Sequence, residues 1–191
     1  MLQISQNVTQ YNAGDPLGEI TQGTLKILLL GSEDNGNQPL FDWQGKFAQG
    51  VGVLSDPKTG SLMFKGQNYA ILNPKTPVAN TAPTFDNPEF VKKTSWILDA
   101  IDSCDAIFIN FLSKSVSPFP LMQLAFTTQS QKLVVRSSEN YQNYGIVRLL
   151  CERYSIPLLP GGRNGNVFTV LQAMYSFLPA FRNINGLQLP S

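Results

Sequence analysis

The chain has 191 residues and is 42% hydrophobic, which suits one globular domain with a sizeable core. A formal charge of +1, with only 14% of residues charged, supplies no clustered basic face for a nucleic-acid backbone, and no apolar run approaches the ~20 residues of a membrane span. Histidine is absent, so Ser-His and Cys-His nucleophile pairs, histidine metal sites and histidine proton shuttles are excluded together.

Residues 1–23 are polar and punctuated by Gly and Pro, and read as a leader or lid on the single domain of residues 24–191. No basic n-region or cleavage signature precedes the apolar run Leu25 to Leu30, so no secretory signal is expected and the expected location is cytoplasmic. Leu25 to Leu30 is predicted as a buried strand ending at Gly31, Ser32, Glu33 and Asp34. Asp42 to Gln49 is a short helical candidate, with Trp43 and Phe47 four apart. Val51 to Leu54 and Ser61 to Phe64 flank the turn signal Asp56-Pro57-Lys58-Thr59-Gly60, which predicts a small hairpin insertion. Tyr69 to Leu72 is a second core strand, stopped by Asn73-Pro74.

Pro88 to Ser103 is the clearest helix, with Phe90, Trp96, Ile97, Ala100 and Ile101 on its apolar face. Asp105 to Asn110 is a third strand, Ser117-Pro118 opens a helix to about Thr128, and Lys132 to Arg136 is a fourth strand. Tyr144 to Tyr154 reads as helix, Ile156 to Leu159 as a fifth strand, and Val167 to Phe181 as a final helix. Cys104 and Cys151 each sit in an apolar segment and read as buried free thiols rather than a disulfide. Short apolar strands alternating with helices predict an α/β fold, a parallel sheet with helices on both faces.

In such a sheet, ligands bind beyond the carboxyl ends of the strands. The candidate ligand-binding residues there are Gly31, Ser32, Glu33, Asp34, Asn73, Asn110, Ser117, Pro118, Gln123, Arg136, Ser138 and Tyr144. Several have plain structural readings as well. Gly31-Ser32 serves equally as a strand-to-loop turn, Asn73-Pro74 as a strand terminator, and Asp105 as a local cap. Gln123 either faces solvent or lines a pocket; the pocket is preferred because Ser117-Pro118 starts its helix at the carboxyl edge of the sheet. Tyr141 and Tyr144 either stack on a base or cover the domain.

The order of these segments resembles the nucleoside 2-deoxyribosyltransferase family. The likeness is carried by the strand ending in Gly31-Ser32, the Trp43 helix, Ile71-Leu72-Asn73-Pro74, and Glu89-Phe90 followed by Trp96. It continues through Ala100-Ile101, Cys104-Asp105-Ala106-Ile107, Ser117-Pro118 with Leu121-Met122-Gln123-Leu124, and Lys132 to Val135. It ends with Gly145, Val147 and Cys151-Glu152-Arg153-Tyr154. The resemblance implies a flavodoxin-like parallel sheet and a homo-oligomer with sites completed by a neighbouring subunit. Its chemistry uses a carboxylate nucleophile that attacks the anomeric carbon of a 2-deoxyribosyl nucleoside and forms a covalent glycosyl-enzyme.

At the position that the resemblance gives to that nucleophile stands Gln123. A second acidic position is Ile97, the sugar-binding acid is Ser117, and the family's later Gly-Asn pair reads Gly145-Ile146. An amide offers no negative charge to an oxocarbenium-like centre. The expectation is therefore a non-catalytic nucleoside- or nucleotide-binding protein, a sensor or sequestering protein, with no cofactor, no metal, no nucleic acid and no membrane. The alternative is an active N-glycosidic transferase or hydrolase with a relocated carboxylate, for which Glu33, Asp34, Asp86 and Asp99 are the candidates. A third possibility is a structural or assembly role with an empty pocket.

Overall fold

The computed structural model describes residues 1–33, 42–75, 83–161 and 166–182. The chain divides into two compact units. The first comprises Met1–Leu29 and Asp42–Cys104, the second Leu30–Phe41 and Asp105–Ser191. Asp34 lies outside the described residues.

In the first unit, strands β1 (Leu2–Ser5) and β2 (Val8–Asn12) form an antiparallel hairpin with Leu2 opposite Gln10 and an irregularity between Gln3 and Ser5. The polar stretch read as a leader or lid thus carries two strands. Strand β3 (Leu25–Gly31) begins in this unit, and β4 (Tyr69–Asn73) runs parallel to both β2 and β3. Tyr69 pairs with Val8 on one side and Leu25 on the other. All five β4 residues are buried, as expected of a strand with a neighbour on each edge and cover on its faces.

Helix α1 (Trp43–Ser55) packs on β1, β2 and β4. It is longer than expected, because Trp43, Phe47, Val51 and Ser55 continue one buried stripe at four-residue spacing. The hairpin insertion predicted at Val51 to Phe64 is therefore absent. Val51 to Leu54 is helical, and the Asp56 turn closes the helix instead of joining two strands. The turn signal itself is sound: Asp56 Oδ1 accepts from the N–H groups of Lys58 and Thr59 at 2.8 and 2.7 Å. A four-residue apolar run cannot by periodicity alone be assigned to helix or strand.

Helix α2 (Pro88–Ser103) has the predicted bounds. Asn87 Oδ1 caps it by accepting from Glu89 and Phe90 N–H, and Pro88 occupies the first turn, where its missing N–H costs nothing. Trp96, Ile97 and Ala100 form its buried face, and Trp96 Nε1 donates to the carbonyl of Asp15 at 2.9 Å.

The second unit contains the end of β3, with β5 (Ala106–Phe111), β6 (Leu133–Ser137) and β7 (Leu158–Pro160). β5 runs parallel to β6, and β6 parallel to β7, with Ile107 opposite Leu133 and Val135 opposite Leu158. Helix α3 (Phe119–Thr127) packs on β5, while α4 (Tyr144–Arg153) and α5 (Val167–Phe177) pack on β6. The expected final helix is interrupted. Pro179 cannot donate to the preceding turn, so α5 closes at Leu178 and a separate turn, α6 (Pro179–Arg182), follows. Both cysteines are buried free thiols, and burial, reinforced by Glu152, pushes the Cys151 thiol up to about 11.

The architecture is thus an α/β fold of mostly parallel strands with flanking helices and an N-terminal antiparallel hairpin. Among the described residues no helix is long and apolar enough to cross a membrane.

Candidate functional site

Most of the predicted site residues lie in the second unit, at the carboxyl ends of its strands. Gly31 ends β3 with a φ of +125°, a region that side-chain-bearing residues rarely adopt. A Cβ placed on it would stand 2.3 Å from the carbonyl oxygen of Asn110 and 2.6 Å from its nitrogen. Only glycine allows this approach. The next residue, Ser32, is 1% exposed and donates its N–H to Asn110 O at 2.9 Å. Its Oγ accepts from Leu112 N–H at 3.1 Å. Ser32 therefore ties the end of β3 to the end of β5, a structural use of the Gly31-Ser32 turn.

Gln123 stands on the second turn of α3 and is 5% exposed, so it does not face solvent. Its Oε1 accepts from the N–H of Gly31 at 3.1 Å. The backbone N–H at the end of β3 could have served a ligand; here it serves the protein's own amide. Gln123 Nε2 has no hydrogen-bond partner among the described residues. The helix that presents Gln123 starts where expected: Ser117 Oγ accepts from Phe119 N–H, and the Pro118 carbonyl accepts from Leu121 N–H.

Asn110 is buried on β5, directly opposite Arg136 on β6. Arg136 is half-buried, and loss of hydration lowers the pKa of its guanidinium. Ser138 follows β6, and its Oγ accepts from Asn140 N–H at 3.2 Å. Gly161 approaches so closely that a Cβ there would lie 2.4 Å from the Ser138 Cα. Tyr141 is 2% exposed with its ring centroid 5.1 Å from that of Phe111, so it covers the core and does not stack on a base. Tyr144 is half-buried at the start of α4, and Glu33 is exposed.

Asn73 and Ile97 belong to the first unit. Ile97 is a core residue of α2. Asn73 Oδ1 accepts from Lys75 N–H at 3.0 Å, and the Lys75 ammonium donates to Asp42 Oδ1 at 2.9 Å. Among the described residues no group of three His, Cys, Asp or Glu side chains could hold a metal ion.

Among the described residues, the second-unit cluster is rich in amide and hydroxyl groups, with the Arg136 guanidinium on β6 and the exposed Glu33 carboxylate after β3. Such a set suits recognition of neutral hydrogen-bonding edges. No family model matches the chain, and no curated protein matches it.

Proposed function

We propose that this chain binds a nucleoside or nucleotide on a nucleoside 2-deoxyribosyltransferase-like scaffold and does not turn it over, acting as a sensor or a sequestering protein. The observation that carries the reading is Gln123: a buried amide, held by the N–H of Gly31, at the position the family resemblance gives to the nucleophile. Strand order supports the scaffold. β4 lies beside β3 in the first unit, and in the second the end of β3 is bonded to β5, which is followed by β6 and β7. The flavodoxin-like scaffold that the resemblance implies has the order 2-1-3-4-5, and the neighbours within each unit are of the kind it requires, with β3 counted as its first strand. The ligand crevice of such folds lies outside the carboxyl ends of the first and third strands, here the ends of β3 and β5.

A thermal-shift screen against nucleosides, nucleotides and cyclic or ADP-ribose-type nucleotides, paired with chromatographic detection of released base, tests the proposal. Stabilisation without base release is expected. Base release by the wild-type chain would favour an active glycosidic enzyme, and no stabilisation by any of these compounds would remove the binding reading.

A further inference from the structure

The first unit holds a cleft of about 360 Å³ at the carboxyl ends of β2 and β4, beneath the start of α1. Its size is at the low end of the ~300–1,000 Å³ typical of small-molecule sites. Register explains how it forms. Leu2 stands opposite Gln10 and Asn12 opposite Asn73, so these four side chains emerge on one face. α1 packs on these same strands. Gly52 lets β1 come close to that helix: a Cβ there would sit 3.2 Å from Ser5 Oγ and 3.4 Å from Ile4 Cγ2.

Two of the lining side chains are more than nine-tenths buried and only half satisfied. Gln10 is 8% exposed and its Nε2 donates to Asn12 Oδ1 at 2.8 Å, while its Oε1 has no partner among the described residues. Asn73 is 4% exposed and its Oδ1 accepts from Lys75 N–H, while its Nδ2 has no partner among the described residues. Neither atom is sealed from solvent, so each can meet a molecule that enters the cleft. One acceptor and one donor thus stand ready at the same cleft.

We infer that this cleft is a binding site for an uncharged, sugar-type polyol. Hydroxyl groups both donate and accept, which is what Gln10 Oε1 and Asn73 Nδ2 together require. Among the described lining residues the charged side chains, Asp42 and Lys75, pair with each other at 2.9 Å, which favours an uncharged ligand over a phosphate. None of the described lining residues is aromatic, so none of them can stack on a base. Leu2 and Ile4 supply an aliphatic wall for the C–H face of a sugar ring. The inference is independent of the nucleoside proposal, whose reporter is the side-chain amide of Gln123 in the other unit.

The test is a ¹H–¹⁵N NMR titration of the full chain with D-ribose, with adenine and inorganic phosphate as separate probes. D-ribose should shift the side-chain amide signals of Asn73 and Asn12 saturably, with a Kd on the order of millimolar, the range of a small ligand held by few hydrogen bonds. Asn73→Asp keeps the acceptor for Lys75 N–H but removes the donor, and should weaken ribose at least tenfold. Gln49→Ala, an exposed position lining the cleft, should weaken it severalfold without disturbing the fold. Absence of saturable shifts, tighter response to adenine or phosphate than to ribose, or unchanged affinity in both variants would each overturn the assignment.

Discussion

The N–H of Gly31 donates to the side-chain Oε1 of Gln123 across 3.1 Å, joining the end of β3 to the second turn of α3 through one buried bond. Position 123 must therefore present an acceptor, whatever else it does. Glutamine and glutamate both can; leucine cannot. Gln123→Leu should lose about 1–3 kcal/mol, the cost of leaving a buried donor unsatisfied, whereas Gln123→Glu should still fold. Urea denaturation measures both. A leucine variant as stable as wild type would show that the bond contributes nothing.

Gly31→Ala should be among the most damaging single changes in the second unit. The substitution combines a φ of +125° with a Cβ 2.3 Å from a backbone oxygen that cannot step aside alone. Positive-φ strain by itself costs about 1–3 kcal/mol, and displacement of Asn110 adds to it. Denaturant midpoints should fall accordingly, and an alanine variant within experimental error of wild type would contradict the described approach of β3 to β5.

Asp42 links the start of α1 to acid stability. Burial works upward on its carboxyl, but the Lys75 ammonium, the N–H of Gly45 and the charges of Lys75 and Lys46 together hold its pKa below the ordinary carboxylate value. A depressed folded-state pKa means stabilisation that is fully present above the unfolded pKa and lost as pH falls through the folded one. Asp42→Asn retains an acceptor for Gly45 N–H but not the charge. The stability gap between wild type and Asp42→Asn should close on acidification through the carboxylate range. A gap that does not change with pH would show that the Lys75 pair has no energetic weight.

Those features differ in how far the sequence alone discloses them. α2 is legible to the residue because Pro88, Glu89 and the Trp96 stripe all point to the same helix. The parallel core strands are legible as continuous apolar runs. β1 and β2 escape notice because Gln3, Thr9, Gln10 and Asn12 make the segment look like polar loop, although Leu2 and Ile4 alternate as strand residues do. α1 is cut short because Val51 to Leu54 resembles a strand next to a genuine turn. At the site, the resemblance points to Gln123, but no pattern in the chain says that its partner is a backbone N–H 92 residues away. The amide cleft around Gln10 is invisible for the same reason: it depends on strand register, which a one-dimensional reading does not contain.

Two neighbouring helices of the second unit also present apolar side chains outward. On α3, Met122 and Phe126 are 50% and 75% exposed; on α4, Ile146 and Leu149 are 51% and 66% exposed. We propose from these exposed side chains that the chain self-associates, as the family resemblance implies, with few charges to hold copies apart. Light scattering at micromolar concentration should report a dimer or larger assembly. Phe126→Glu with Leu149→Glu should reduce it to monomer while leaving the far-UV circular dichroism unchanged. A wild-type monomer would contradict the proposal.

Whether position 123 carries recognition without catalysis is decided by base release from 2′-deoxynucleosides by wild type and by Gln123→Glu, run beside calorimetric binding of the same compounds. Wild type should bind and release no base, and the glutamate variant, whose carboxylate can still accept from Gly31 N–H, should bind and gain measurable turnover. Losing one preorganised stabilising group typically costs ~100- to 1,000-fold in rate, so restoring the nucleophile should produce a gain of at least that order. Turnover by wild type with no gain in the variant would rule out a non-catalytic role for position 123, because the nucleophile would then be another residue and Gln123 only the acceptor that holds Gly31 in place.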